Sequence, residues 1–231
     1  MDPSQNYLLL PLWYVVFLLS LTCHEAAHAF TSFRGGDDTA LLAGQATLNP
    51  LAHIRREPIG TILVPLGTIF QLGYMMGWAS APYDLRWGDR HPRRAALMAA
   101  AGPLANLTLA LAAFVALRLG LATGAWSLTP VHLFRIDQIV VAASGGTSWL
   151  EGLGRLLSIL LVLNVALFLF NLIPLPPMDG ASVLAGFFGP ARRLREHLGA
   201  SPFASLAGLL VAWTLFPRLY GPVIGWILTR L

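Results

Sequence analysis

The stretch LLLPLWYVVFLLSLTCHEAAHAF, residues 8–30, decides the structural class of this protein. No charged residue occurs from Pro3 to Cys23, and a helix of that length spans roughly 30 Å, about the thickness of a bilayer's hydrocarbon core. Three ionisable residues, His24, Glu25 and His28, follow directly. Because ionisable side chains are costly at membrane depth, they indicate a functional site on a membrane-spanning helix.

The HEAAH cassette of residues 24–28 has the spacing of a metal site. On a helix, imidazoles at positions i and i+4 share a face and can bind one zinc ion, while Glu25 lies about 100° round the helix and can polarise a water molecule there. The alternative is a pair of histidines hydrogen-bonded by neighbouring helices. A chance match has no reason to fall near the end of the first apolar segment, so we favour the zinc site and predict hydrolysis inside the membrane.

Composition assigns the whole chain to the membrane. Of its 231 residues, 56% are hydrophobic and 11% are charged, and the mean hydropathy is +0.65. We predict an all-α polytopic membrane protein with about five to six membrane segments, forming one domain over residues 1–231 with no separate soluble domain. The apolar segments cover residues 7–33, 59–79, 94–119, 153–173 and 203–228. We expect the first to be a retained helix and not a signal peptide, because it lacks a basic n-region.

The charged residues point to the membrane surface and not to nucleic acid. All 15 basic residues are arginines, and the formal net charge is +4. They cluster in loops, around residues 55–56, 86–94 and 192–195, which is typical of membrane orientation and lipid-headgroup contact. The single cysteine, Cys23, excludes an intramolecular disulfide, and we interpret it as a small core residue.

A candidate for a third zinc ligand follows the fourth apolar segment. Asp179 comes after Pro174, Pro176 and Pro177, which cannot continue an α-helix, so we expect an extended Pro-rich stretch near the zinc site. Unwound backbone at membrane depth is tolerated where it lines a cavity or is covered by protein. A solvated turn aspartate is the alternative. An extended stretch over residues 172–178 would also offer a strand edge to an unfolded substrate segment.

Several motifs, taken in order, resemble the site-2 protease family of intramembrane zinc metalloproteases, and most of all its compact prokaryotic members without a PDZ domain. They are HEAAH at 24–28, GDDTA at 36–40, TLNPLAHI at 47–54, GWA at 77–79, AGPLAN at 101–106 and NLIPLPPMDG at 171–180. One departure is visible, because the family's usual GWAKPVPV reads GWASAPYD at residues 77–84. This departure concerns the conformation of that loop and not the zinc site.

The resemblance implies roles for individual residues. His24, His28 and Asp179 would bind one Zn²⁺ per chain, Glu25 would be the general base, and Asn171 would steady the substrate carbonyl or its oxyanion. It also implies that the substrate is the transmembrane helix of another membrane protein, cleaved in or next to the membrane. A membrane zinc transporter or a non-catalytic zinc-binding protein is the alternative function, and Glu25 argues against it because transport requires no base beside the ligands.

Topology gives a consistency test. For Asp179 to reach the zinc, the ends of the first and fourth apolar segments must lie on the same side of the bilayer. One way to achieve this is for residues 59–79 to be re-entrant or a short hairpin and not a single crossing. The alternative is an extra crossing within residues 130–144. With a re-entrant segment the arginine-rich loops share one side, which the positive-inside rule identifies as the cytoplasm. We therefore expect a prokaryotic inner (plasma) membrane protein whose active site opens toward the cytoplasm.

Three further polar residues, His53, Asn106 and Asn164, lie in or beside the apolar segments. His53 is either part of a loop that gates substrate entry or a surface histidine in a turn. We interpret Asn106 and Asn164 as structural, each making an interhelical hydrogen bond. The sequence does not indicate the oligomeric state.

Overall fold

The computed structural model describes residues 3–130, 135–143, 146–199 and 201–231, and it is predominantly α-helical. The helices are α1 (Pro3–Arg34), α2 (Thr39–Leu42), α3 (Pro50–Arg56), α4 (Val64–Leu72), α5 (Leu85–Arg90), α6 (Pro92–Ala122), α7 (Ser148–Asn171), α8 (Asp179–Phe187), α9 (Gly189–Gly199) and α10 (Pro202–Leu228). A π-helical stretch, Ile59–Leu63, leads directly into α4, and two short strands are β1 (Trp126–Leu128) and β2 (Val140–Ala142). The all-α membrane architecture is confirmed.

Within the described ranges, four helices are long and apolar enough to cross a membrane. They are Leu9–Arg34 of α1, Pro92–Ala122, Ser148–Asn171 and Phe203–Leu228 of α10. The 59–79 segment contributes only the shorter apolar helix Ile59–Leu72. At about 1.5 Å per residue, that helix is too short to cross the hydrocarbon core.

The chain of this segment turns back on itself. Gly73 ends α4 in the left-handed region, with φ +79°, where a residue without a β-carbon is favoured. The chain then returns beside its own start, and Trp78 N donates a hydrogen bond to Gly60 O at 3.1 Å. A β-carbon at Gly77 would meet the Gly60 carbonyl and the Phe17 ring of α1. Entry and exit lie side by side, so the segment folds back on itself, as either the predicted re-entrant segment or the predicted short hairpin requires.

Helix α6 packs against α1, α7 and α8. Its buried face is rich in small residues, among them Ala99, Gly102, Ala110 and Ala113, which let membrane helices approach closely. The main apolar core joins α1, α6 and α7, and its fully buried large side chains include Phe17, Leu117, Ile159 and Leu161. Helix α10 lies at the edge of the bundle, where Phe216 contacts Phe170 of α7 edge-on.

A small β-hairpin, not predicted from the sequence, follows α6. Strands β1 and β2 pair antiparallel, with Ser127 opposite Val141. The hairpin is fixed to the start of α7, because Glu151 accepts hydrogen bonds from Ala142 N at 2.9 Å and from Gln138 Nε2 at 2.7 Å. The alternative of an extra crossing within 130–144 gains no support from the described part of that stretch, which contains β2 and a bridged turn. Residues 131–134 and 144 lie outside the described residues.

The Pro-rich stretch breaks the helix as predicted, but the prediction of an extended path is wrong. Residues 172–178 form a run of turns, with Leu175 N donating to Ile173 O at 2.8 Å and Met178 N to Leu175 O at 2.9 Å. Proline fixes φ near −65° and leaves ψ free, so turns and extended chain are both compatible with it. Since these turn bonds use the amide hydrogens of Leu175 and Met178, the stretch is not the strand edge expected for substrate docking.

Candidate metal centre and active site

The two histidines of the cassette converge with Asp179 at one point. Helix α1 places His24 and His28 one turn apart, with their Nε2 atoms 2.9 Å from each other. Asp179, the first residue of α8, brings its Oδ2 to 3.2 Å from Nε2 of His24 and 3.4 Å from Nε2 of His28. Helix α8 starts here because the turns of 172–178 redirect the chain, and Gly180 allows its start to approach the Leu172 carbonyl closely.

This donor set fits a zinc ion. In a tetrahedral site with metal–ligand bonds of about 2.0–2.1 Å, neighbouring ligand atoms lie about 3.3 Å apart. The three separations of 2.9, 3.2 and 3.4 Å are close to that value. Two imidazoles and one carboxylate are a ligand set of catalytic zinc sites, which leave a fourth position for water or substrate.

The other ring nitrogens are held by α6. His28 Nδ1 donates to Met98 O at 2.7 Å, and His24 Nδ1 donates to the side-chain oxygen of Asn106 at 2.6 Å. A protonated Nδ1 leaves Nε2 with its lone pair, which is the form that binds a metal. The two hydrogen bonds therefore select the tautomer of each imidazole and fix the orientation of each ring.

Asn106 belongs to a buried polar network inside the helix bundle. Its amide nitrogen donates to Asn164 Oδ1 at 2.8 Å and to Ser20 O at 3.3 Å. Asn164 in turn donates to Ser20 Oγ at 2.8 Å. Both asparagines are fully buried. The predicted interhelical hydrogen bonds are confirmed, and the network also sets the amide of Asn106 with its oxygen toward His24.

Gly102 provides the room for this arrangement. A β-carbon at position 102 would lie 2.6 Å from Nε2 of His24 and closer still to Nε2 of His28. No side chain fits at that distance without a shift of the imidazoles. Gly102 and Asn106, four residues apart on one face of α6, thus both act on the histidine pair.

Glu25 lies beside the two histidines and is only 4% exposed. One ligand-type atom from each of His24, Glu25 and His28 lies within 4.8 Å of the others. A carboxylate at that distance can reach a water molecule shared with the histidine pair. The geometry is compatible with the base role expected for Glu25, which stays a prediction.

Two further expectations concern Asn171 and His53. Asn171 ends α7, and its amide nitrogen donates to Leu167 O at 3.0 Å within the same helix, so its role toward a substrate carbonyl stays a prediction. His53 is 2% exposed and lies in α3, with Nε2 donating to Thr47 O at 3.0 Å. The alternative of a surface histidine is therefore wrong, and the gating role stays a prediction.

Sequence reasoning missed Gly102 and Met98 as contributors to the site. The signal available for Gly102 was its spacing of four residues from Asn106 within the AGPLAN motif. Met98 contributes only a backbone carbonyl, which no side-chain pattern reveals.

Comparisons with known proteins identify the family of this chain. The sequence profile described as Peptidase family M50 matches residues 12–215. The chain is similar to YwhC of Bacillus subtilis (strain 168), with 32% identity over 219 residues, 94% of this chain and 85% of that protein. No solved structure matches.

Two mycobacterial proteins named Rip2 are also similar. The one from Mycolicibacterium smegmatis (strain ATCC 700084 / mc(2)155) is 32% identical over 174 residues, 75% of this chain and 56% of that protein. The one from Mycobacterium tuberculosis (strain ATCC 25618 / H37Rv) is 31% identical over 209 residues, 90% of this chain and 68% of that protein. The names of YwhC and Rip2 describe them as zinc metalloproteases. With a profile match over most of its length, this multi-pass membrane chain belongs to peptidase family M50, the site-2 protease family of zinc metalloproteases.

Proposed function

We propose that this protein is an intramembrane endopeptidase that hydrolyses peptide bonds in or next to the transmembrane helices of other membrane proteins, as in regulated intramembrane proteolysis. The observation that carries the proposal is that Asp179 converges, within 3.4 Å, with His24 and His28 of a membrane-length helix. The histidines lie six to ten residues before Arg34, roughly 9–15 Å from that end of α1. A substrate bond cleaved there would lie inside the bilayer, near one surface.

His24, His28 and Asp179 are the proposed ligands of one zinc ion per chain. When bound, zinc supplies a Lewis acid that activates water and polarises the scissile carbonyl. The chain itself contributes the fixed orientation of the two imidazoles, through Met98 O and Asn106. Because these partners are buried, the ligand atoms need little reorganisation on metal binding.

Glu25 is the proposed general base. Its buried carboxylate accepts the proton of the attacking water and then passes it to the leaving amine. Asn171 is the proposed partner of the substrate carbonyl oxygen. Its amide nitrogen donates one N–H to Leu167 O, and the amide has a second N–H for that oxygen. A helical substrate hides its carbonyls in i to i−4 hydrogen bonds, so it must unwind locally before attack.

The proposed setting is a prokaryotic inner (plasma) membrane, with the active site opening to the cytoplasm. The end of α1 and the start of α6 carry arginines and are joined there, because Arg94 Nη1 donates to Gly35 O at 3.1 Å. Asp179 and the arginines of α9 follow α7 on that same side. Arginine-rich loops on one side of the bilayer favour the cytoplasm for that side. We propose that residues 1–231 act as a single protease domain.

The decisive experiment compares Glu25→Gln with the wild-type protein on a model transmembrane peptide in detergent or liposomes. Loss of the base is expected to lower the cleavage rate by about 10²- to 10⁴-fold while one zinc stays bound. Glu57→Gln is the matched control, because a glutamine oxygen can still accept the hydrogen bond from Ser80. Mass spectrometry of the products is expected to place the cut in or beside the apolar segment. Cuts confined to soluble loops, or an active Glu25→Gln protein, would contradict the proposal.

A further inference from the structure

A second candidate binding site lies where α1 ends and α6 begins. An open cavity of about 390 Å³ is lined there by Thr31, Arg34, Gly35, Gly36, Arg94 and Leu97. It belongs to neither the zinc centre nor the re-entrant segment. Its lining contains two guanidinium groups and no carboxylate, so its chemistry is that of an anion site.

The guanidinium groups of Arg34 and Arg94 retain N–H donors that could bind an anion. Arg94 uses Nη1 to bond Gly35 O at 3.1 Å, and the Arg34 guanidinium lies 4.9 Å from the centre of the Phe30 ring. Throughout the described ranges, no carboxylate oxygen lies within 4.0 Å of a guanidinium nitrogen of Arg34 or Arg94. Each arginine carries five N–H groups, so both retain donors for an anion.

The buried acid of the adjoining loop already has hydrogen-bond partners. Asp37, two residues beyond the cavity wall at Gly35, is 4% exposed. Its carboxylate accepts hydrogen bonds from Thr39 Oγ1 at 2.6 Å and from Asp84 N at 3.1 Å. It therefore holds two loops together and does not neutralise the arginines.

Apolar side chains continue the site toward the bilayer. Phe30 lies one helical turn before Arg34, and Leu97 lies nearly one turn after Arg94. Both are exposed, at 53% and 58%, and both are on the membrane side of their arginine. Charged groups at headgroup level with exposed apolar groups one turn deeper match an amphiphile better than a free ion.

We propose that this cavity binds the phosphate of an anionic phospholipid between Arg34 and Arg94, with the acyl chains running along Phe30 and Leu97. The lipid would bridge the helix that carries His24 and His28 to the helix that carries Met98 and Gly102. Occupancy would hold these helices in register and so stabilise the zinc centre. Any effect on cleavage rests on the function proposed above, whereas lipid binding does not.

Lipid binding is measured on the purified full-length protein in detergent, by native mass spectrometry and by thermal unfolding. Phosphatidylglycerol is expected to stay bound and to raise the Tm more than phosphatidylcholine at equal concentration. The double variant Arg34→Gln/Arg94→Gln is expected to bind phosphatidylglycerol about 25-fold more weakly, from about 5-fold for each arginine. If the double variant does not fold, Arg34→Gln alone tests the site, because among the described residues this substitution disturbs only the contact with Phe30. Its affinity for phosphatidylglycerol is expected to fall about 5-fold.

Matched controls separate a specific site from general charge. Arg93→Gln/Arg193→Gln removes the same charge from two exposed arginines outside the cavity, and its affinity for phosphatidylglycerol is expected to stay within about 2-fold of wild type. Equal losses in the two double variants would overturn the proposal. So would full stabilisation by inorganic phosphate alone, since that result would assign the cavity to a free anion. Neither readout requires peptide cleavage, so failure here is distinguishable from failure of the proposed function.

Discussion

Asn106 holds His24 through a hydrogen bond of 2.6 Å between its Oδ1 and the Nδ1 of the imidazole. Removing it in Asn106→Ala leaves the ring without its orienting partner, so we expect zinc affinity to fall about 10- to 100-fold. Chelator competition on the purified protein measures this change. Ser158→Ala is the control, because Ser158 is a fully buried polar residue of α7 whose hydroxyl bonds Gly154 O and Ile139 N and no residue of the Asn106 network. Equal losses in both variants would show that Asn106 acts only through the fold.

Gly102 gives a steric test of the same site. Gly102→Ala would drive a methyl group into the two Nε2 atoms, so we expect weaker zinc binding and about 100-fold lower cleavage from displaced ligands. Gly152→Ala in α7 is the matched helical glycine, with no atom within 4 Å of the added carbon. Because alanine is the better helix former, that control is expected to be neutral or slightly stabilising. Normal zinc content and activity in Gly102→Ala would contradict the geometry.

Asp37 and Asp38 make a neighbouring pair for a stability test. The buried Asp37 carboxylate accepts hydrogen bonds from Thr39 and from the backbone of Asp84, so Asp37→Ala is expected to cost about 2–3 kcal/mol of unfolding free energy. The exposed Asp38 makes no side-chain cap bond to α2, and Asp38→Ala is expected to stay within about 0.5 kcal/mol of wild type. Thermal unfolding in detergent compares them. Equal destabilisation by both substitutions would contradict the stabilising role of the Asp37 hydrogen bonds.

The re-entrant segment makes a prediction about sidedness. Asp89, before α6, and Thr123, after it, lie at opposite ends of one membrane-length helix. Single cysteines at these positions, in a Cys23→Ala background, are expected to label from opposite faces of the membrane. An impermeant maleimide on intact cells should react with the cysteine at 123 and, only after permeabilisation, with the one at 89. Labelling of the cysteine at 89 on intact cells would contradict the topology, whatever the cysteine at 123 does.

The sequence specified the parts of the site that depend on local geometry. The i, i+4 spacing of His24 and His28 determines that they share a helix face, and Pro174, Pro176 and Pro177 determine that α7 ends before Asp179. The path of the Pro-rich stretch could not be predicted, because proline restricts φ alone. The contacts of Gly102 and Asn106 with the histidines depend on how α6 packs against α1. That packing cannot be predicted from a single sequence.

The central claim is that one zinc ion joins α1 to the start of α8 through His24, His28 and Asp179. The most direct measurement is the zinc content of purified Asp179→Ala protein, by elemental mass spectrometry after dialysis against a weak chelator. Asp89→Ala, at a site 71% exposed, is the control for removal of one carboxylate. We expect one zinc per chain in wild type and in Asp89→Ala, and loss of most of it in Asp179→Ala. A full zinc complement in a folded Asp179→Ala protein would contradict it.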